Sequence, residues 1–287
     1  MRNFKYICPE TIDEVCQILS EHEGALILAG GQSLLPILRL RAASPPCLVD
    51  INGLKNANYI SFENNQIKIG PIARHIDVAN SEMAKKHCSI LSQIAGHIGD
   101  MQVRNRGTFC GSIANSDPAG DPPIIAALLD AEIQAVSSRG ETIYSGGDFF
   151  HGFYENSLES DEFVTEVRFP EISPPTGVAY EKWEPSEGAY PVATIGVSIT
   201  LDGDAISHAK IMTGAIEPGP TLSEEAANIL IGQKPTPDII VEAAISTGEG
   251  SDPIDDSEGS VIFKKELMKT LSKRAITTAV SRAQGGI

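Results

Sequence analysis

Apolar and polar positions recur with several different periods along this chain, and each change of period marks an element. Phe4 to Cys8 reads as a short strand. Pro9-Glu10-Thr11 signals a helix start, and Ile12, Val15, Cys16 and Leu19 then fall at helical spacing as far as Ser20. Ala25 to Ala29 reads as a second strand that ends abruptly in Gly30-Gly31-Gln32-Ser33. The apolar stretch Leu34 to Leu40 follows, punctuated by Arg39 and Arg41. Pro45-Pro46 breaks the chain before a third strand, Cys47 to Ile51. This β-α-β segment of about 50 residues predicts a small first lobe.

Past Tyr59 the pattern changes. Tyr59 to Phe62 and Gln66 to Gly70 predict a hairpin around Glu63-Asn64-Asn65. Ile76 to Ala84 and Ile90 to Ile98 read as helices. Arg104 to Pro123 loses all periodicity. It holds three glycines, three prolines and a run of small and hydroxyl side chains, and it predicts a long loop. The helical-looking Ile124 to Ala131 follows. Ala131 to Val136 then reads as a strand that turns at Ser137 to Gly140 and pairs back through Thr142 to Tyr144. Asp148 to Gly152 reads as a turn or short helix. Phe163 to Phe169 alternates apolar and polar as a half-buried strand does. Residues 60–170 thus predict a second, α+β lobe.

Ile172 to Gly177 is a candidate linker. Beyond it come strands at Val178 to Trp183, Ala193 to Leu201 and Ala205 to Gly214. Helices are predicted at Ser223 to Ile231, Ile239 to Ala244 and Phe263 to Ala283. The acidic, Gly-rich segment Gly248 to Gly259 reads as a solvated loop. Three strands followed by helices predict a compact α+β domain.

Composition narrows the function. With 287 residues the chain is long enough for two domains, and 41% hydrophobic with 21% charged residues suits a soluble globular protein. A formal charge of −16 disfavours nucleic acid as a partner. An anionic ligand must therefore be held by local donors, for which Arg104, Arg106 and bare loop amides are candidates. Cys8, Cys16, Cys47, Cys88 and Cys110 are scattered, with no CxxC pair and no Cys/His cluster. That argues against an iron–sulfur cluster or structural zinc in this chain, so the expected metal ligands are none. Scattered reduced thiols suit a cytoplasmic protein. The start of the sequence lacks the apolar core of a signal peptide, and no run is long enough to span a membrane. The six histidines are scattered, and His75, near a helix start, reads as structural. No catalytic residue emerges.

Two stretches carry candidate binding chemistry. Gly30-Gly31-Gln32-Ser33 is a strand feeding a tight glycine turn, a common cradle for a pyrophosphate. It is neither GxGxxG nor a P-loop, and an ordinary turn is the plain alternative. In the second stretch Gly107, Gly111, Ser112, Ala114 and Ser116 leave the backbone uncovered, while Thr108, Ser112, Asn115 and Ser116 add donors. This suits a phosphate-bearing ligand, with a surface loop as the alternative.

Taken together, AGGQSLLP (Ala29 to Pro36) and VRNRGTFCGSIANSDPAGDPP (Val103 to Pro123) resemble the FAD-binding medium subunit of the molybdenum hydroxylases, the xanthine oxidase and carbon monoxide dehydrogenase family. The later segments extend the resemblance over essentially the whole chain. It implies an α+β fold. A two-lobed FAD-binding domain of vanillyl-alcohol-oxidase/PCMH-like type would span residues 1–175, with lobes of about 1–56 and 57–175. A small C-terminal domain of carbon monoxide dehydrogenase flavoprotein type would span 178–287. It implies non-covalent FAD, since neither motif offers a histidine for attachment. Ala29, Gly30, Gly31, Gln32 and Ser33 match the turn that holds the pyrophosphate, with Leu28 and Leu34 packing on the cofactor. Thr108, Gly111 and Ser112 match the second motif, which Ala114, Asn115, Asp117 and Asp121 continue. Asp121 matches a carboxylate near the ribityl or ribose hydroxyls, with a helix N-cap as its plain alternative. Val164 matches an apolar residue against the flavin ring. Lys182 matches a lysine near the flavin, where a cation stabilises the reduced, anionic form.

Two positions depart from the family pattern. Cys110-Gly111 stands where Gly-Gly is usual. The aromatic that many members carry directly before the Ala-x-x-Gly-Val strand is Val192 here, with Tyr190 two positions early. Tyr190 reaches the flavin only if the loop is longer. The resemblance implies an electron-transfer subunit. A small partner would carry two 2Fe–2S clusters, a large partner the molybdenum cofactor, and an external acceptor would take the electrons. A self-sufficient FAD oxidoreductase and a non-redox assembly subunit are the alternatives.

Overall fold

The computed structural model describes residues 3–286. In the first lobe β1 (Lys5–Ile7), α1 (Ile12–Glu21), β2 (Leu26–Leu28), α2 (Leu34–Leu40) and β3 (Cys47–Asp50) follow one another. They form a parallel sheet with β3 between β1 and β2. Parallel strands need crossovers, and here α1 links β1 to β2 and α2 links β2 to its neighbour β3. Thr11 starts α1, its hydroxyl accepting from the Glu14 N–H at 3.3 Å. Val15, Cys16 and Leu19 belong to the lobe's core with Cys47 and Val49.

The second lobe opens with the expected hairpin, β4 (Ile60–Glu63) and β5 (Gln66–Ile69). A helical stretch follows: α3 (His75–Asn80), α4 (Glu82–His87), α5 (Ser89–Gly96), α6 (Met101–Arg106), α7 (Phe109–Asn115) and α8 (Asp121–Leu128). Then come β6 (Glu132–Ser137), β7 (Gly140–Ser145), the single turn α9 (Gly146–Phe149), the small hairpin β8 (Phe150–Gly152) with β9 (Glu155–Asn156), and β10 (Phe163–Pro170). The antiparallel sheet runs β4-β5-β10-β6-β7, so the last strand in sequence sits at its centre.

Three expectations are corrected here. Arg104 to Pro123 is not a long loop but the end of α6, all of α7 and the start of α8. Local signals account for this. Asp100 caps α6 by accepting from the Val103 N–H at 2.8 Å, and Ser116, at φ 50°, ends α7 in the left-handed region. Pro122 and Pro123 fall in the first turn of α8, where the missing N–H costs nothing. The single helix expected at Ile76 to Ala84 is two. Ser81 is extended (ψ 119°) and its side chain caps α4 from the Ala84 N–H at 3.2 Å.

The C-terminal unit is a meander of β11 (Thr176–Trp183), β12 (Ala193–Asp202), β13 (Ala205–Gly214) and β14 (Thr221–Leu222). It is covered by α10 (Glu224–Leu230), α11 (Pro237–Gly250) and α12 (Val261–Ala283). The third correction lies here: α11 runs on into the segment read as a solvated loop. Thr236 caps its start and Pro237 takes the first position, while Gly248 packs on α12 beside Lys269. On the sheet's other face lies α8, buried along its whole length. A helix apolar on every side needs cover all round, and the second lobe and the C-terminal sheet supply it together. β12, enclosed between helical layers, is buried along almost its whole length, its polar Thr194 and Ser198 included.

Candidate functional site

The two motifs meet in space. Gly30 lies so close to the end of α6 that a Cβ on it would stand 2.4 Å from the Arg106 carbonyl oxygen and 2.6 Å from the Gly107 Cα. No side chain fits there. Gly31 takes φ 74°, which turns the chain out of β2 toward α2. None of the Gly31, Gln32 and Ser33 N–H groups donates to a protein acceptor among the described residues. The junction is fastened from behind. Asn52 Nδ2 donates to the Ala29 carbonyl at 2.8 Å, and the Arg74 guanidinium donates to both Asn52 Oδ1 and the Arg106 carbonyl. His75 N–H donates to the Gly107 carbonyl at 3.1 Å.

The turn and the helices open onto one cavity of about 540 Å³. Its wall takes in Ala29, Gly30, Gly31, Gln32, Ser33 and Leu34 from the first motif. From the second come Thr108, Gly111, Ser112, Ala114, Asn115, Asp117 and Asp121, and from the remaining chain Val164, Lys182 and Tyr190. Leu28, expected on the cofactor, is not on this wall. It packs behind the turn, its Cδ1 3.1 Å from where a Gly31 Cβ would be. The arginines considered as anion donors also lie off it. Arg104 is spent on the Ile98 and Gly99 carbonyls at 3.2 and 2.9 Å.

Thr108 is 3% exposed, and its Oγ1 has no hydrogen-bond partner among the described residues. That hydroxyl fills the space Gly111 leaves, 2.4 Å from where a Cβ would sit. Cys110 borders the cavity, but its buried thiol is engaged 3.3 Å from the Ile69 and Gly70 carbonyls, and burial pushes its pKa up. The backbone therefore keeps a helical course despite the missing glycine. His75 is 2% exposed on the cavity wall, with Nε2 3.2 Å from Ser112 Oγ and Nδ1 unpartnered. Burial, with Arg74 beside it, pushes its pKa down to about 4.

Asp121 is the first residue of α8, after the N-cap Gly120, so the N-cap alternative does not hold. It is 5% exposed and accepts from Tyr180 Oη at 2.6 Å and Lys182 Nζ at 3.1 Å. Burial raises its pKa against the pull of Lys182. Lys182 also donates to the His97 carbonyl at 2.9 Å and lies 3.4 Å from Glu184 Oε2. Two carboxylates thus face this one ammonium, and its charge is compensated rather than free. Val192 is buried and donates its N–H to the Trp183 carbonyl at 2.9 Å. Gly188 to Pro191 line the cavity instead, and Tyr190 brings an aromatic ring to it from this loop.

Sequence reasoning missed Asn52, Arg74 and Tyr180, and it gave His75 no place at the site. Tyr180 had a signal, since it stands two residues before Lys182 and so shares its face of β11. Asn52 lies just past the carboxyl end of β3, where open α/β sheets place their ligands. Arg74 and His75 had none, because their roles rest on side-chain contacts with residues far off in sequence, Asn52, Arg106 and Ser112.

Unpaired amides and a buried unpaired hydroxyl suit an anion, and the volume suits a cofactor-sized ligand. The family described as the FAD binding domain in molybdopterin dehydrogenase matches residues 2–172, and the CO dehydrogenase flavoprotein C-terminal domain matches residues 178–279. The chain belongs to this family of FAD-binding subunits of molybdenum-dependent oxidoreductases. It is 32% identical to the glyceraldehyde dehydrogenase medium chain of Sulfolobus acidocaldarius, over 95% of this chain and 96% of that one. It is 30% identical to the nicotine 6-hydroxylase medium subunit of Paenarthrobacter nicotinovorans, over 97% and 98%. Among solved structures, a chain of carbon monoxide dehydrogenase from Hydrogenophaga pseudoflava superposes with a TM-score of 0.94 at 31% identity, covering 98% of each chain. No helix among the described residues is long and apolar enough to cross a membrane.

Proposed function

We propose that this chain carries FAD as the electron-transfer subunit of a molybdenum hydroxylase complex. It takes electrons from 2Fe–2S clusters on a small partner subunit, the large partner holding the molybdenum cofactor, and passes them to an external acceptor. Unpaired cysteines suit a cytoplasmic setting. The observation that carries the reading is the convergence of both motifs, Lys182 and Tyr190 on one cavity whose buried Thr108 hydroxyl has no partner among the described residues.

The residues divide the cofactor among them. The Gly31 to Ser33 amides and the Thr108 and Ser112 hydroxyls are the donors for the pyrophosphate. Asp121 accepts from the ribityl or ribose hydroxyls while Tyr180 and Lys182 hold it in place. Val164 and Tyr190 flank the ring. Bound there, FAD supplies both one- and two-electron redox chemistry.

The test begins with the chain expressed alone. Its visible spectrum is recorded before and after acid precipitation. The reading expects FAD, released entirely into the supernatant, and no iron–sulfur absorption. The isolated chain shows no turnover of its own, and the complete complex reduces an added acceptor only when flavin is present. Turnover by the isolated chain would point instead to a self-sufficient oxidoreductase. A colourless chain that takes up no FAD would leave an assembly role.

A further inference from the structure

Three buried ionisable groups on the cavity wall are not used by the proposed FAD contacts: Cys110 is spent on the Ile69 and Gly70 carbonyls and Glu162 on Thr142 and Tyr144, whereas His75 faces Ser112 of the second motif. It reaches the wall through α3, and its ring packs edge-on against Phe109 with centroids 6.1 Å apart. Within hydrogen-bond distance its ring meets one polar side-chain atom among the described residues, Ser112 Oγ at 3.2 Å from Nε2. Nδ1 is buried with no hydrogen-bond partner among the described residues. Ser112 Oγ, in turn, has no second protein partner among the described residues.

A neutral imidazole carries one proton, and the two placements have opposite consequences for Ser112. With the proton on Nδ1, an N–H is orphaned in the interior, and the Ser112 hydroxyl gives its own proton to Nε2. Ser112 then shows the cavity only lone pairs, which an anion repels. With the proton on Nε2, the ring donates to Ser112 Oγ and leaves the serine O–H free to donate into the cavity. The orphan is then a lone pair, and buried unpaired N–H groups are the rarer of the two. Thr108, also buried and unpartnered, borders the same space, so the wall there is short of an acceptor.

We infer that His75 is a positioning residue: held as its Nε2–H tautomer, it donates to Ser112 and so fixes the serine hydroxyl as a donor to a phosphate oxygen of the cofactor. This rests on the FAD reading above. Burial, and after it the Arg74 cation beside the ring, disfavours a second proton and keeps the imidazole neutral.

The test uses the full chain. In histidine-15N-labelled apoprotein the shifts of the His75 nitrogens, assigned by their loss in His75→Gln, report which nitrogen is protonated. The inference requires Nε2–H; an Nδ1–H tautomer overturns it. FAD affinity, read by flavin fluorescence on the apoprotein, gives the functional arm. His75→Leu weakens binding about fivefold, the worth of one neutral hydrogen bond. His75→Gln, which keeps a donor near Nε2, restores most of it. In a Ser112→Ala background neither change matters. If His75 takes the serine proton instead, His75→Leu tightens binding, and that result also overturns the inference. Thermal melting of each apo variant separates a folding defect from a binding one. Failure of the native chain to bind FAD would defeat the parent reading, a result distinct from either tautomer outcome.

Discussion

The cavity wall and the core beneath α12 are both deeply buried, yet they treat polar groups differently. In the C-terminal core Ser272 Oγ donates to the Met268 carbonyl at 2.7 Å, Thr247 Oγ1 to Ala243 at 3.0 Å and Ser251 Oγ to Thr247 at 2.7 Å. Buried Lys264 donates to the Ile254 carbonyl at 3.0 Å. At the cavity, Thr108 Oγ1 and His75 Nδ1 have no hydrogen-bond partner among the described residues. Each such orphan costs about 1–3 kcal/mol. A chain that completes one core and leaves the other unfinished has a use for the unfinished groups. The C-terminal core is finished by its own helices; the cavity is finished by its cofactor.

Glycine draws the same contrast. Gly30 and Gly177 both lie against backbone, a Cβ falling 2.4 Å from the Arg106 carbonyl in one case and 2.0 Å from the Ala279 carbonyl in the other. The first closes a binding junction, and the second seats α12 on β11.

The largest effect is expected where the two regions join. Lys182→Met leaves Asp121 buried without its cation and costs about 3 kcal/mol at neutral pH, read by urea unfolding. The sign of its pH dependence follows from Asp121. A carboxyl whose folded pKa is raised contributes stability below its unfolded value and loses it as pH rises through the folded value. Removing Lys182 raises that pKa further, so the deficit against the native chain grows with pH and shrinks in acid.

Next come the glycines. Gly30→Ala and Gly177→Ala each cost roughly 1–3 kcal/mol of apo stability by overpacking. Only Gly30→Ala also weakens FAD binding when the folded fraction is titrated with flavin. Equal flavin loss in both would erase the distinction between binding junction and scaffold. Tyr190→Ala is smaller. It leaves the melting temperature of the apoprotein within a degree or two, since the ring is 74% exposed, and weakens FAD binding by about 0.5–1.5 kcal/mol. Smallest is Cys110→Ala. Its thiol faces the Ile69 and Gly70 carbonyls, so it costs less than about 1.5 kcal/mol of stability and leaves FAD affinity unchanged.

Much of this was legible in the residues. Strands such as Ala193 to Leu201 and the helix start at Thr11 follow from period and capping, both local signals. The motif residues converge because Gly30 lacks the side chain that would hold it off Arg106 and Gly107. The helical state of residues 109–115 was hidden, because small and hydroxyl side chains favour turns until tertiary packing overrides them. Phe109, Cys110 and Ile113, all buried, supply that packing. Asn52, Arg74 and His75 escaped because each acts on a carbonyl or hydroxyl far off in sequence.

Amide hydrogen exchange of the chain with and without FAD tests the central contrast most directly. Slowed exchange is expected at Gly31 to Ser33 and at Cys110 to Ser112, with α11 and α12 already protected and unchanged. Protection that leaves the Gly31 to Ser33 turn untouched, or that appears chiefly in α11 and α12, would contradict the account.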